Sequence, residues 1–525
     1  MPATLTYPGV YIEEIPSGVR TIVGVPTSVA AFIGRALRGP VNDQFVVNNF
    51  GDFERTFGGL GVDYPMSYSV NDFFLNGGGQ AVIVRLFVAP GAGATGVSTL
   101  SPGGLNLVAA SPGTWGDKLK ATVNTLPNNP ANDALAKSFD PTFTPADLFN
   151  LTVEDTKPNG PKEVFRNLTI KDGPRRVDRV LEGSALVRLA TLAAGGPDLP
   201  AAIPADGSTA TGGGGADSGP LTDLAIEGDE NLKTGIFALK NADIFNLLCI
   251  PPDKRFGDTS PAVYQAAAIF CHKHRAMLIV DPVAAWSSNA TPAGMGVAEL
   301  GTLGITGPDA RNAALYFPRV IESDPLRQGQ LDTFVPCGIV AGIFARTDND
   351  RGVWKAPAGL DAALVGVQGL EANLTDDENG ELNPLGINCL RSFPITGRVV
   401  WGARTLRGAD QASDEYKYVP VRRVALYIEE SLYRGTKWVV FEPNDEPLWS
   451  QIRLNVGVFM HNLFRKGAFE GASPSEAYFV RCDKFTTTQA DIDLGIVNII
   501  VGFAPLKPAE FVVIQIQQIA GQLAV

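Results

Sequence analysis

The C-terminal stretch "EFVVIQIQQ" alternates apolar and polar side chains with the period of two that is typical of a β-strand. Val512, Ile514 and Ile516 fall on one face of this strand, whereas Gln515 and Gln517 fall on the other. A terminal strand is most often the last strand of its own sheet, but it can also be an arm that completes the sheet of a neighbouring chain. The alternation alone leaves both interpretations open.

The N-terminal residues 1–22 are predicted to form a second extended arm. Pro2, Pro8 and Pro16 disfavour a helix, and "GVYIEEI" between them consists mostly of residues that favour strands. The segment is too short to build a core of its own. Both ends of the chain are therefore predicted to be strand-like segments outside the main domains.

After this arm, predicted strands and helices alternate. "SVAAFIGRA" and "QAVIVRLF" are predicted strands, and the second is a continuous apolar run of the kind found in buried sheet strands. The two stretches between them, "NDQFVVNNFGDFERTFGG" and "YPMSYSVNDFFLNGG", are predicted to be helical.

A similar alternation returns between residues 231 and 386. "DIFNLLCIPP" and "AMLIVDP" are predicted strands, and "SPAVYQAAAIFCHKHR" between them is a predicted helix. Alternation of this kind favours an α/β layer in which part of the strands are parallel.

The intervening residues are rich in Gly, Pro, Ser, Thr and Asn and contain short predicted strands such as "KLKATV", "LFNLTVED" and "EVFRNLTI". They indicate a β-rich insertion that ends in an exposed tether, "ADGSTATGGGGADSGPL".

The C-terminal region is predicted to contain two amphipathic helices. "VRRVALYIEESLYRG" forms the first, and "TKWVVFE" after it is a predicted strand. In the second helix Asp445 is a suitable N-cap and Gly467 a suitable C′ residue. Its polar face carries Arg453 and Arg465, with Lys466 beside it, and could either bind an acidic partner or simply face solvent.

Length, charge and cysteine content indicate which classes of protein this chain can belong to. A length of 525 residues predicts three or four domains. The net charge of −12 argues against a nucleic-acid binder. The start shows no secretory signal, and no apolar run is long enough to span a membrane. Five scattered cysteines indicate buried thiols in a reducing compartment, so we expect a protein that is made in the cytoplasm.

Two stretches could carry chemistry. "CHKHR" places Cys271, His272 and His274 close together, but residues two apart on a helix diverge, so we expect no metal site. Asp281 ends a predicted strand, where α/β enzymes place catalytic acids, yet no phosphate loop or nucleophile elbow accompanies it. A capping or turn role for Asp281 is the favoured interpretation, and we expect neither a cofactor nor a catalytic residue.

Long runs of the sequence point to one family. The stretch "YKYVPVRRVALYIEESLYRGTKWVVFEPNDEPLWSQIR" closely resembles the tail sheath proteins of contractile injection machines, which include myophage tails, R-type bacteriocins and extracellular contractile injection systems. "YPGVYIEEIPSGVRTIVGVPTSVAAFIGRALRGP" matches the start of the family, and "LCIPPDKRFGDTSPAVYQAAAIFCHKHRAMLIVDP" resembles its middle. The resemblance covers nearly the whole chain and is thinnest between residues 120 and 230.

The resemblance implies an α/β and α+β multidomain chain with extended arms at both ends. The implied parts are an N-terminal arm (1–22), an α/β sheath domain in two pieces (23–104 and 231–386), a β-rich outward insertion with a Gly-rich tether (105–230), an inner C-terminal sheath domain (387–510) and a C-terminal strand arm (511–525).

The resemblance also implies a structural subunit and no enzyme. Subunits of this family polymerise as stacked hexameric rings around an inner tube, and they contract to drive the tube through a target envelope. The expected partners are other copies of the chain, the inner tube protein, and baseplate and terminator or cap proteins, without nucleic acid or direct membrane insertion. The particle would be assembled in the cytoplasm.

The resemblance assigns two sets of site residues. The helix that begins after Asp445 is expected to face the tube through Arg453, Arg465 and Lys466. The strands donated to neighbouring subunits are expected to use the residues Val10, Tyr11, Ile12, Val512, Ile514 and Ile516.

Two alternatives stay open: another structural component of such a particle, in the baseplate or associated with the tube, and an α/β enzyme that uses Asp281. The sequence does not distinguish a phage from a bacteriocin or a cell-derived injection system, although sheaths split between two proteins, as in type VI secretion, fit less well.

Overall fold

The computed structural model describes residues 20–91, 93–158, 160–288 and 297–515. The chain divides into two compact units. We call residues 28–346 and 357–415 the α/β unit. We call residues 20–27, 347–356 and 416–515 the terminal unit.

The strands of the described residues are, in chain order, β1 (Ala30–Gly34), β2 (Gln44–Val47), β3 (Ala81–Arg85), β4 (Thr99–Leu100), β5 (Leu107–Ala109), β6 (Leu119–Thr125), β7 (Phe149–Asp155), β8 (Lys162–Leu168), β9 (Val187–Leu189), β10 (Thr209–Thr211), β11 (Leu247–Cys249), β12 (Met277–Val280), β13 (Ala313–Phe317), β14 (Val320–Asp324), β15 (Gln330–Phe334), β16 (Val367–Leu370), β17 (Ile387–Phe393), β18 (Gly397–Val400), β19 (Tyr478–Arg481) and β20 (Ile500–Phe503).

The α-helices are α1 (Phe50–Phe57), α2 (Pro65–Leu75), α3 (Pro130–Phe139), α4 (Val177–Leu181), α5 (Asp223–Glu227), α6 (Pro261–Lys273), α7 (Val297–Thr302), α8 (Cys337–Arg351), α9 (Asp376–Leu382), α10 (Val419–Gly435), α11 (Glu446–Arg465), α12 (Pro474–Ala477) and α13 (Gln489–Asp493).

The α/β unit is built on an eight-stranded sheet with the order β18-β17-β13-β12-β11-β1-β3-β2. The six inner strands pair in parallel, and the two outermost strands pair antiparallel. Every residue of β1, β3, β12 and β13 is buried, as expected for parallel strands that are covered on both faces. The predicted partly parallel α/β layer is therefore confirmed.

This sheet continues past residue 387, where the sequence placed the start of the C-terminal domain. β17 pairs in parallel with β13, and Leu390 of β17 pairs with Val400 of β18. Because these strands bury apolar side chains in the large sheet, residues 387–415 belong to the α/β unit, and the chain leaves it at residue 416.

Two local predictions in the α/β unit are corrected. The stretch predicted as one helix before Gly58 begins with β2, which pairs with β3, and α1 starts only after the cap formed by Asn49. The predicted Gly-rich tether contains β10, which pairs with β6 from Thr209 to Thr211. In both cases backbone pairing with a distant strand outweighs the local composition.

The predicted short strands between residues 119 and 168 are present. They form the sheet β10-β6-β7-β8, and a second sheet, β4-β5-β9, lies in the same stretch of chain. Residues of both sheets share one apolar cluster that includes Leu107, Val123, Leu151 and Val187. This β-rich stretch therefore has its own core within the α/β unit.

Helices α2 and α8 of the α/β unit approach each other closely. A Cβ atom added at Gly338 of α8 would lie 2.1 Å from the backbone oxygen of Ser69 in α2. A Cβ at Gly342, one turn later, would lie 2.6 Å from the backbone oxygen of Phe73. Because the obstacle is backbone at both positions, glycine is required there for the two helices to pack.

We predict that Gly338→Ala destabilises the α/β unit by about 1–3 kcal/mol, because two helix backbones must separate. Gly380→Ala is the matched control, since a Cβ at Gly380 in α9 has nothing within 4 Å. We expect this control to stabilise the protein by about 0.5–1 kcal/mol, because alanine is the better helix former. Chemical denaturation followed by circular dichroism measures both. A Gly338→Ala protein as stable as the control would contradict the close approach.

Candidate functional site

The terminal unit is organised around α11. Asp445 caps this helix by accepting the backbone N–H of Leu448 at 3.1 Å, as predicted. One face of this amphipathic helix is apolar, and its residues are all buried: Leu448, Ile452, Val456, Phe459, Met460 and Leu463. Val424 and Ile428 of α10 belong to the same apolar cluster. The two predicted helices therefore form the core of this unit.

The only sheet of the terminal unit, within the described residues, has two strands. β19 and β20 pair antiparallel from Tyr478–Phe503 to Arg481–Ile500. Tyr478 and Val480 pack against the core around α11, whereas Phe479 and Ile500 are exposed. A two-stranded sheet is only marginally stable by itself and presents unpaired N–H and C=O groups along its outer edges. These edges can accept further strands.

The chain that follows β20 leaves the unit with apolar side chains exposed. Ala504 still donates its backbone N–H to the carbonyl of Ala477 at 2.8 Å. Phe511, Val512, Val513 and Ile514 are then between 75% and 82% exposed. Residues 511–515, where the sequence predicts a strand, have no strand partner among the described residues. A run of four exposed apolar residues is unfavourable in water and is typical of an interaction surface.

The remaining predicted arm residues, Val10, Tyr11, Ile12 and Ile516, lie outside the described residues.

The three predicted tube-facing cations differ in their surroundings. Arg453 is partly buried; its guanidinium donates to the carboxylate of Glu446 at 2.5 Å and to the carbonyl oxygen of Cys482. Arg465 and Lys466 are exposed at the C-terminal end of α11, where the helix dipole favours positive charge. Arg453 is thus held by its own unit, while the other two side chains point into solvent.

The loop between α10 and α11 corrects another prediction. The stretch predicted as the strand "TKWVVFE" forms a 3₁₀ turn, Lys437–Val439. Val440 and Phe441 follow with exposed side chains, and Phe441 has a φ of 71°. The turn arises because Pro443 and the helix cap at Asp445 follow immediately and leave no room for a paired strand. The sequence signal for this turn is "FEPND", and the strand-favouring "WVV" before it led to the wrong prediction.

The "CHKHR" residues do not converge. Cys271 is buried. Nδ1 of His272 is hydrogen-bonded to Oδ1 of Asp309 at 2.6 Å. The centre of the His274 ring lies 4.2 Å from that of Phe270. Burial lowers the pKa of His274. In the part of the chain that the structure describes, no group of three or more His, Cys, Asp or Glu side chains could hold a metal ion.

Asp281 has the capping role that the sequence favoured. It is buried at the end of β12, and its Oδ1 accepts the backbone N–H of Cys337, the first residue of α8, at 2.9 Å. A carboxylate at a helix N-terminus satisfies an N–H group that has no partner within the helix. Burial raises the pKa of Asp281 to about 7, although the nearby Arg319 and the Cys337 bond oppose this shift.

Two family models match the chain. Residues 245–406 match the phage tail sheath protein central domain, and residues 411–519 match the phage tail sheath C-terminal domain. Together these segments make up more than half of the 525 residues.

The chain belongs to the tail sheath protein family.

Curated relatives agree with this assignment. The tail sheath protein of Vibrio phage KVP40 is 27% identical over 174 residues, which is 33% of this chain and 24% of that protein. The tail sheath protein of Enterobacteria phage T4 is 26% identical over 156 residues, which is 29% of this chain and 22% of that protein. The alignments thus span about a quarter of the length of these relatives.

Solved sheath structures share the fold over nearly the whole chain. The sheath of an extracellular contractile injection system, PVC, in its contracted state matches with a TM-score of 0.58 and 21% identity over 98% of both chains. The sheath tail protein of Listeria innocua matches with a TM-score of 0.59 and 14% identity over 93% of this chain and 96% of that chain. The resemblance to tail sheaths noted in the sequence is confirmed.

The family is structural, so the expectation that this chain is not an enzyme agrees with its membership. Over the described ranges, no helix combines the length and the hydropathy that a membrane span requires.

We predict that Asp281→Asn flattens the pH dependence of stability in the α/β unit. The pKa of Asp281 is about 7 in the folded protein and ordinary, near 3.8, in the unfolded chain. Between these values the folded state keeps a proton that the unfolded state has lost. Stability therefore falls as pH rises through this window, by at most about 1.4 kcal/mol per pH unit from this one group. Denaturation midpoints measured from pH 4 to pH 8 test this.

The asparagine can still accept the N–H of Cys337, so we expect it to keep the cap, to lose the slope and to be more stable than the native protein at pH 8. The matched control is Asp43→Asn, which removes an exposed carboxylate of the same unit and should leave the slope unchanged. An Asp281→Asn protein with the native slope would show that Asp281 does not titrate in this window.

Proposed function

We propose that the chain is the subunit of a contractile tail sheath, which polymerises as stacked hexameric rings around an inner tube and contracts to drive the tube through a target envelope. One observation carries the proposal. The terminal unit combines an unfinished two-stranded sheet with an apolar C-terminal segment that has no partner in the described chain. A donor and an acceptor on the same unit are what a chain needs to link with copies of itself.

The energetics favour donation of the segment only if side chains become buried. Ordering a free arm costs roughly 1–2 kcal/mol per residue. Each backbone hydrogen bond returns only about 0.5–1.5 kcal/mol net, so pairing alone does not stabilise the contact. Burial of Val512 and Ile514, at about 1.5–3 kcal/mol each, makes it favourable. Each arm is then a modest link, but many such links along one tube add up by avidity.

In the proposed lattice the arms at both ends pair with sheets of neighbouring subunits and keep them joined while other parts of the subunit move during contraction. Family membership supports this arrangement, as does the match of the fold to a sheath in its contracted state. The subunit would be a component of a phage tail or an injection particle that is assembled in the cytoplasm.

We further propose that the β-rich stretch between residues 105 and 230 projects outward from the sheath. It has its own apolar cluster, and the two family models begin only at residue 245. A stretch with its own core can vary without disturbing the α/β sheet.

The tube would lie against the exposed face of α11. Since Arg453 is already bonded to Glu446 and Cys482, we assign it the role of fixing this face, and we assign Arg465 and Lys466 the main contact with an acidic tube surface.

A place in the baseplate is the second candidate, because one similar structure is a chain of the anti-feeding prophage baseplate, with a TM-score of 0.54 and 23% identity over 98% of this chain and 99% of that chain. A baseplate component would join a particle without forming cylinders by itself, so the images described next distinguish the two.

We predict that deletion of residues 511–525 leaves a folded protein that does not polymerise, because the lattice loses one donated strand per subunit. Negative-stain electron microscopy of the purified chain, with and without its tube protein, should show striated hollow cylinders for the full-length protein and only dispersed particles for the truncation. Circular dichroism should show that the truncation is folded. Intact cylinders from the truncated chain would refute the role of the arm.

Point variants test whether polymerisation depends on burial of apolar side chains of the arm and not only on the presence of the arm. Val512→Ser with Ile514→Ser removes two apolar side chains from the same face of the arm, whereas Gln515→Ser changes the other face. We expect cylinders from the second variant and few or none from the first.

We predict that Arg465→Glu with Lys466→Glu weakens binding to the tube and leaves self-association intact. Two reversed charges repel an acidic surface, and the effect should shrink as salt is raised above about 0.15 M. Co-sedimentation of the variant with tube filaments at several salt concentrations measures this. Lys484→Glu, an exposed lysine of the same unit outside α11, is the control. Binding equal to that of the control would exclude this face as the tube contact.

A further inference from the structure

The segment from Arg20 to Thr27, which we call the strap, lies against α10 and α11 of the terminal unit. The backbone N–H of Arg20 donates to Oδ1 of Asn455 at 3.0 Å, and that of Val25 donates to Oγ of Ser431 at 3.2 Å. Asn455 is itself buried in α11, and Ser431 is buried in α10. The strap is thus bonded to both helices through its backbone.

The strap also packs tightly along α10. Ile22 is only 6% exposed, and a Cβ atom added at Gly435 would lie 2.5 Å from its side chain. A Cβ added at Gly24 of the strap would lie 1.9 Å from the hydroxyl oxygen of Tyr427. Two glycines, one on each side, therefore allow the strap and α10 to approach. The neighbouring Val23, in contrast, is 77% exposed.

The strap ends in a buried ion pair. Arg423 of α10 donates to both carboxylate oxygens of Asp348, at 2.8 and 2.6 Å, and to the carbonyl oxygen of Thr27 at 2.9 Å. The hydroxyl of Thr27 donates to Asp348 at 2.7 Å. Both charged side chains are 3% exposed. We call Arg423, Asp348 and their bonds to Thr27 the clamp. Thr27 is the last residue of the terminal unit before the chain enters the α/β unit, so the clamp fixes the C-terminal end of the strap.

The C-terminal segment is attached to the other end of the same helix. The hydroxyl of Tyr418, the residue that precedes α10, donates to Glu510 at 3.1 Å, directly before the exposed residues begin at Phe511. The contacts along α10 therefore run from Gly435 through Ser431 and Arg423 to Tyr418. The 17 residues of the helix span about 25 Å.

We infer that α10 is the helix that connects the two arms mechanically within one subunit. A pull by a neighbouring copy on the N-terminal arm reaches the strap, and a pull on the C-terminal arm reaches Glu510. Both loads therefore reach α10, besides the contacts that Arg20 makes with α11 and Ala504 makes with Ala477. The clamp at Thr27 holds the strap before the load passes into the α/β unit. A second copy of the chain is the partner that pulls, and in this respect the inference rests on the proposed function.

The decisive experiment pulls single full-length chains between Met1 and Val525 in an optical trap, without any assembly. We expect the first rupture to release the strap, which lengthens the chain by less than about 28 Å, because eight residues at 3.5 Å each reach that length and the bound strap already spans part of it. Ile22→Ser should move this rupture to lower force. Val23→Ser, one residue away with an exposed side chain, should leave it unchanged.

Arg423→Met with Asp348→Leu tests the clamp. Apolar replacement of both partners leaves no unpaired charge behind and removes the two hydrogen bonds that hold Thr27. We expect circular dichroism and the denaturation midpoint to stay near the native values, while strap release moves to lower force. This separates mechanical attachment from overall stability.

Two outcomes would overturn the inference. One is a first rupture at the same force in all variants; the other is a first event much longer than the strap, which would mean that α10 or the core opens first. The pulling result is independent of polymerisation. Failure of the native chain to form cylinders would therefore refute the proposed sheath and leave the attachment of the strap to α10 as measured.

Discussion

An exposed apolar segment and a sheet of only two strands, both in the terminal unit, are the constraint on which the proposed assembly depends. Phe511 to Ile514 are exposed, and the sheet of β19 and β20 stops at two strands. In water both features favour association, because backbone groups and apolar side chains can be covered by another chain at the same time. In the proposed sheath, a polymer of identical subunits supplies every donor with an acceptor.

The proposed assembly requires that the terminal unit withstand the forces between subunits. The terminal unit is joined by hydrogen bonds between segments that are remote in sequence. Arg20 and Asn455 are 435 residues apart, and Arg423 and Asp348 are 75 apart. Removing one partner of a buried ion pair costs about 3–5 kcal/mol, because the other charge stays buried without compensation. Contacts between residues that are far apart in sequence therefore hold the unit together.

The α/β unit solves a different problem. Its large sheet is buried on both faces, so its strands are continuous apolar runs and its polar groups must be paired locally. The carboxyl group of Asp281 illustrates this: in an enzyme of this fold the same position could hold a catalytic acid. Here it accepts the first N–H of α8, and burial raises its pKa to about 7. The position of Asp281 in the sequence is compatible with either role, and its hydrogen bond to Cys337 identifies it as a helix cap.

The sequence by itself determined the elements whose pattern repeats within one segment. The period of two in β6 and β7, the apolar runs of β1 and β3, and the capped amphipathic α11 could be predicted, because neighbouring residues carry the whole signal. The family could also be identified, since its motifs are long and local. The tertiary structure alone decided that Gln44–Val47 is a strand, that β17 and β18 extend the large sheet, and that the strap is bonded to α10. Each of these depends on pairing with residues far along the chain, and the free energy of such pairing is not contained in the local sequence.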